Sequence, residues 1–156
     1  MIVPTELGVE AADGMAAVHA SAFSEEEAWP AAAFQDLLSQ PATLARGCFR
    51  DSALAAFILV QFVAGEAEIL TLATAPHARR RGFARGLLTG LEQELRPSGL
   101  EKWLLDVAVD NSGALAFYTN LGFRTDSIRR NYSKRLEGKR IDAILMSRTV
   151  GGQISQ

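Results

Sequence analysis

Apolar and polar positions along the chain change period several times, and each change marks an element. From about Glu10 to Phe23 the apolar residues Met15, Val18 and Ala22 recur at helical spacing, with His19 one position off the stripe. Trp29-Pro30 opens a second predicted helix, with proline at a first-turn position where its missing N–H is harmless. Phe34, Leu37 and Leu38 form the apolar face of that helix, and Pro41 ends it. The pattern then turns strand-like. Thr43 to Phe49 is followed by a turn at Asp51-Ser52, then by a β-rich apolar run from Leu54 to Val63. Ala64-Gly65-Glu66 turns the chain into a third strand, Ala67 to Thr74, so that short connections predict an antiparallel meander. Helical spacing returns from about Phe83 to Leu95, with Ala84, Leu87, Leu88, Leu91 and Leu95 on one face and Pro97 and Gly99 as stops. Trp103 to Val109 reads as a strand, and after Asp110-Asn111 a helix runs through Leu121 to Gly122. Phe123 to Arg129 and Ile141 to Ser147 are two last strands, antiparallel to each other and joined near Gly138; Met1 to Thr5 reads as a short first strand.

Strand, helix, strand in that order makes the segments 67–74 and 103–109 parallel neighbours with a right-handed crossover. The expected fold class is therefore α/β: a mixed, mostly antiparallel sheet with helices on both faces. Neither repeat nor linker interrupts it, so residues 1–150 are expected to form one domain and the tail 151–156 to fray. A length of 156 residues allows one sizeable core. A net charge of −2 gives no global attraction to nucleic acid, but Arg79, Arg80, Arg81 and Arg85 crowd into seven positions. A local basic site on a mildly acidic body suits a small polyanion. The single cysteine, Cys48, excludes an internal disulfide and a cysteine-based metal site. The longest apolar run, Ala53 to Val60, is too short to span a bilayer. These features fit a cytoplasmic protein that binds neither membrane nor metal.

Candidate chemistry gathers in two places. The first is the strand end at Thr74, the arginine-rich loop and the small residues Gly82 and Ala84 opening a helix. A helix N-terminus exposes N–H groups without intrahelical partners and carries partial positive charge, so it binds phosphate, and guanidinium groups strengthen the site. An exposed basic turn before an amphipathic helix explains the same residues. A Walker loop is excluded, because no Gly-Lys-Ser/Thr follows, and no dinucleotide fingerprint is present. The second place is Asp106, Asn111 and Tyr118. Asp106 alternates with Leu104 and Ala108 on one strand face, where desolvation raises a carboxyl pKa toward the range of a general base. Asn111 and Tyr118 are two helical turns apart and share a face, although Tyr118 also reads as an ordinary packing aromatic. His19 suits a packing or surface position better than a substrate pocket. The acidic run Glu25-Glu26-Glu27 is a solvated loop or an attractor of cationic substrate.

Arg79-x-x-Gly82-x-Ala84, preceded by Ala73 and Pro76 and followed by Asn111, Tyr118 and Leu121-Gly122-Phe123, resembles the GCN5-related N-acetyltransferase superfamily over roughly residues 67–125. Glu68-Ile69-Leu70, Leu105-Asp106-Val107, Ile128-Arg129-Arg130-Asn131-Tyr132 and Asp142-Ala143-Ile144 look like the bacterial ribosomal-protein-alanine N-acetyltransferases. The resemblance implies a splayed parallel strand pair and acetyl-CoA as co-substrate. It places the pyrophosphate on Arg79, Arg80, Arg81, Gly82, Phe83, Ala84 and Arg85, and the pantetheine arm along the strand edge at Leu72, Ala73 and Thr74, a peptide-like form of strand addition. Asn111 matches a CoA contact. Tyr118 matches both a CoA-contacting position and the acid that protonates the departing thiolate; Asp106 stands where the family has a glutamate base. Aspartate is one methylene shorter, so a relaying water or Glu68 is an alternative base. Direct attack by the amine leaves Cys48 no nucleophilic role. Trp29 and Tyr132 are candidates for lining an acceptor groove, while Arg129-Arg130 and Lys139-Arg140 need no more than a solvated-surface role. The implied acceptor is the N-terminal amine of a ribosomal protein or other peptide, with a small amine (polyamine, amino acid or aminoglycoside) second and a non-catalytic CoA-binding module third. Direct nucleic-acid binding is not expected, and the chain is expected to be a monomer or weak dimer.

Overall fold

The computed structural model describes residues 3–25, 27–134 and 140–150. Its strands are β1 (Thr5–Glu6), β2 (Thr43–Arg50), β3 (Ala53–Val63), β4 (Glu66–Thr74), β5 (Lys102–Ala108), β6 (Arg124–Lys134) and β7 (Arg140–Thr149), and its helices are α1 (Ala12–Ala22), α2 (Ala31–Leu38), α3 (Phe83–Leu95) and α4 (Ser112–Asn120). All seven strands form one sheet in the order β1-β2-β3-β4-β5-β7-β6, in which β4 and β5 are parallel and the other neighbours antiparallel. The mixed α/β class therefore holds, with three local differences. The first strand is Thr5–Glu6, on β2, and not the segment ending at Thr5. Pro30 is extended at φ −74°, ψ 162° and caps α2 from outside its first turn. β7 inserts between β5 and β6, taking the seven-residue register of β5 that leaves β6 at the sheet edge. Gly138 and the tail 151–156 lie outside the described residues.

Alternation along β3 divides the core. Ala56, Ile58 and Val60 pack with α3 and α4 on one face, whereas Phe57 and Leu59 pack with α1 and α2 on the other. Burial on both faces is why this strand reads as a continuous apolar run. Leu87, Leu88, Leu91 and Leu95 of α3 are all buried. At roughly 1.5–3 kcal/mol each, these four outweigh the ~1 kcal/mol forfeited by a helix whose N-terminus has no side-chain cap.

The decisive irregularity lies in β4. Leu59 pairs with Thr71 and Val60 with Ile69, which leaves Leu70 as an extra residue, a β-bulge. Before it, Ala67 and Ile69 pack against the α3 layer; after it, Ala73 packs against the α1–α2 layer. A bulge bends and twists its strand. The parallel pairing with β5 accordingly stops at Glu68 and Leu104, while β5 continues on its other side against β7. The closed end of this V is held by Glu92 of α3, which accepts the Trp103 indole N–H at 2.9 Å and ion-pairs with Arg96 and Arg148.

Candidate active site

A cavity of about 540 Å³ occupies the opening between β4 and β5. Ile69, Leu72, Val107 and Tyr118 line it from the α3–α4 side, and His19, Trp29, Glu68, Asp106 and Tyr132 line it as well. Side chains from both faces share one cavity, so the opening passes through the sheet. Along Ile69 to Thr74 the backbone groups facing β5 have no strand partner among the described residues. Leu72 lies on the cavity wall, Ala73 is buried beneath α1–α2 and Thr74 is half-buried where β4 ends.

At the wide end of the V the chain makes a 3-10 turn at Pro76–Ala78 and then the arginine loop. Arg80 (φ 63°) and Gly82 (φ 79°) are left-handed, and Gly82 is the N-cap of α3. The first helical bond runs from Gly86 N–H to the Gly82 carbonyl, so the N–H groups of Phe83, Ala84 and Arg85 lack helical partners. Successive N–H groups in such a loop can form an anion-binding concavity; Arg79, Arg80, Arg81 and Arg85 of this segment are all exposed, and the Arg79 guanidinium donates to the Ala22 carbonyl at 3.5 Å. A left-handed arginine is strained by about 1–2 kcal/mol. Strain of this kind, persisting beside uncapped N–H groups, is typical of ligand clamps.

Asp106 points away from the core formed by Leu105 and Val107 and into the cavity. Desolvation raises its carboxyl pKa above the usual range, opposed by the positive charge of Arg129. Tyr118 is buried, edge-on to Phe117 (5.1 Å between ring centres) and Phe123 (5.3 Å). Burial pushes its phenol far up, so it holds its proton at neutral pH. Its hydroxyl has no hydrogen-bond partner among the described residues but is not sealed from the cavity. Asn111 differs from the helical position assigned to it: it is the N-cap of α4, its Oδ1 accepting the Ala114 N–H at 3.1 Å. Its amide N–H groups are left for the cavity that it lines.

Opposite them stands an aromatic wall. His19 is fully buried yet lines the cavity, its ring stacked 4.2 Å from Phe23 and 5.1 Å from Trp29. Burial lowers its pKa from 6.5 to about 4. Packing and pocket are thus one position, not alternatives. Tyr132 is exposed, with the Arg129 guanidinium 4.4 Å above its ring. Arg129 is consequently more than a solvated charge, since it faces both Asp106 and Tyr132. Arg130 pairs with Asp142 at 3.4 Å, and Lys139 lies outside the described residues. Of the acidic run, Glu27 lines the cavity and accepts the Ser24 hydroxyl; Glu26 is outside the described residues. Cys48 is buried in the α3-side core, where burial pushes its thiol pKa up, and it does not line the cavity. Thr71 was not singled out by sequence; its one signal is a polar side chain in the apolar run Ile69-Leu70-Thr71-Leu72-Ala73. Among the described residues no cluster of three metal-ligating side chains occurs, and no helix is long and apolar enough to cross a membrane.

Comparison with known proteins places this geometry. The [Ribosomal protein bS18]-alanine N-acetyltransferase of Salmonella typhimurium is 40% identical over 97 residues, which cover 62% of this chain. The matched stretch spans 65% of that relative, slightly less than two thirds of its length. The N-alpha-acetyltransferase RimI of Mycobacterium tuberculosis is 31% identical over 140 residues, 87% of this chain and 85% of the relative. The crystal structure of the ribosomal-protein-S18-alanine N-acetyltransferase from Escherichia coli superposes with a TM-score of 0.85 at 29% identity, covering 96% of this chain and 94% of that one. The sequence profile of the acetyltransferase (GNAT) family matches residues 13–123, and the chain belongs to that family.

Proposed function

We propose that the protein transfers the acetyl group of acetyl-CoA directly to the N-terminal α-amino group of a ribosomal protein, with alanine as the acceptor residue. The observation that carries this is the single cavity running through the sheet, with Tyr118 lining it from one layer and Asp106 from the other. The chain fits acetyl-CoA on its own geometry. An unpartnered strand edge at 69–74 suits the amide-bearing pantetheine arm, and the uncapped N–H groups of Phe83, Ala84 and Arg85 with four arginines suit the pyrophosphate. When bound, acetyl-CoA supplies an activated thioester.

The acceptor amine must be neutral to attack. An α-amino group, with a pKa of about 7.7–8.0, is roughly a tenth neutral at pH 7, against under a thousandth for a lysine at about 10.4. Asp106 accepts the amine proton, directly or through one water, and its raised pKa brings it closer to that task. Glu68, on the same cavity, is the second candidate. Tyr118 keeps its proton on Oη at neutral pH and gives it to the departing sulfur. Trp29 and Tyr132 flank the acceptor. The same proposal takes residues 1–150 as one domain, acting as a monomer or weak dimer in the cytoplasm without binding nucleic acid.

A small polyamine is the second acceptor, favoured by the carboxylates Glu27, Glu68 and Asp106 around one cavity. Release of CoA is to be followed with acetyl-CoA and peptides bearing different free N-termini, spermidine running in parallel. Turnover of an N-terminal-alanine peptide is expected; turnover of spermidine alone rejects the peptide acceptor.

A further inference from the structure

The buried contacts of His19 fix more than a packing position. Its Nδ1 lies 3.1 Å from the backbone nitrogen of Trp29, and its Nε2 lies 3.1 Å from Oγ1 of Thr71. A backbone N–H only donates, so Nδ1 must accept. A neutral imidazole with an accepting Nδ1 carries its proton on Nε2. Nε2–H therefore donates to Thr71, whose oxygen must accept. The hydroxyl proton of Thr71 is then committed elsewhere, and no acceptor for it occurs among the described residues. Thr71 directly follows the bulged Leu70 and lines the cavity together with Asp106 and Trp29. The hydroxyl is thus left as a donor turned away from His19, on the wall shared with the proposed base.

A peptide N-terminus brings two kinds of group into this space. Its amine faces the carboxylates Asp106 and Glu68, and its first carbonyl oxygen needs a donor. We propose that Thr71 contacts the acceptor substrate, its hydroxyl turned by His19 to donate to a carbonyl oxygen of the entering peptide, and that His19 is the residue positioning both Thr71 and the Trp29 segment. This deepens, and rests on, the acetyl-transfer proposal. It also distinguishes acceptors, because a polyamine has no carbonyl to receive that proton.

Steady-state kinetics of Thr71→Val and Thr71→Ser with acetyl-CoA and an N-terminal-alanine peptide test the contact. Valine keeps the shape and removes the donor. KM for the peptide is expected to rise about fivefold to tenfold in Thr71→Val, as loss of one neutral hydrogen bond implies, with KM for acetyl-CoA within twofold of wild type. Thr71→Ser is expected to restore the peptide KM. An unchanged peptide KM, or an equal rise in both KM values, overturns the proposal. A second readout needs no turnover: long-range 1H–15N spectra at pH 7, where the chain has two histidines, His19 and His77. His19 is expected as the Nε2–H tautomer, and a proton on Nδ1 overturns the orientation argument. If the wild type turns over no peptide, the peptide-acceptor proposal fails by itself. Titrating the same peptide into CoA-loaded wild type and Thr71→Val then decides the contact: weaker binding by the variant upholds it, and equal or absent binding overturns it.

Discussion

Asp106 and Tyr118 share one cavity, and burial moves both toward their protonated forms, with opposite consequences for their work. For Tyr118 this preserves the proton that the proposed acid role requires. Tyr118→Phe keeps the ring against Phe117 and Phe123, so unchanged thermal melting and a kcat lower by about 10²-fold are expected. A kcat equal to wild type removes Tyr118 from the acid role. For Asp106 the linkage has a definite sign. A folded-state pKa above the unfolded value means that the native protein holds the proton more tightly, so stability falls as pH rises through the shifted range and stays reduced at neutrality. Asp106→Asn should thus melt no lower than wild type at pH 7.5 while losing at least ~10-fold in kcat. A clearly lower melting temperature would show that the carboxylate is a structural partner and not a desolvated base.

At the scale of elements, α3 and the end of β4 join a packed core to the proposed phosphate-binding terminus. Gly82→Val places a branched side chain at φ 79°, and a loss of about 1–2 kcal/mol with at least ~10-fold weaker CoA binding by calorimetry is expected. Full CoA affinity in that variant would move the phosphate site off the helix terminus. These two elements were legible in the sequence: α3 spans Phe83–Leu95 and β4 ends at Thr74, as spacing and small residues foretold. The bulge at Leu70 was not, because burial of Ala67, Ile69, Thr71 and Ala73 reads as unbroken alternation, and only the pairing with β3 exposes the extra residue. The insertion of β7 between β5 and β6 was equally hidden, since a local pattern specifies a strand and not its neighbour. Arg129 looked solvated for the same reason: Asp106 reaches it only through the β5-β7-β6 order. Asp106 and Tyr118 could be picked out one by one, whereas their meeting across the sheet depends on the splay.

For the whole molecule, His19 couples the α1–α2 layer to the bulged strand through Thr71 and Trp29. Its folded pKa of about 4 against 6.5 makes the unfolded chain bind a proton first as pH falls. Stability is therefore expected to decline between about pH 6.5 and pH 4, by about 3 kcal/mol at about 1.4 kcal/mol per pKa unit. Urea midpoints at pH 7 and pH 4.5 measure this, and His19→Gln should show a smaller acid-induced drop than wild type. An equal drop assigns the acid sensitivity to the carboxylates. The V between β4 and β5 has one more consequence, for solubility. Unpaired strand edges invite other chains to add on and aggregate, and proteins normally blunt them with charge, proline or a covering element. Here the bare edge of β4 lies inside its own sheet, flanked by β5 and closed at one end by Glu92 and its partners. A foreign strand cannot slide in laterally, whereas a flexible ligand can thread in from the open end. The molecule can thus keep an unpaired backbone edge open to the proposed pantetheine arm while denying it to its neighbours.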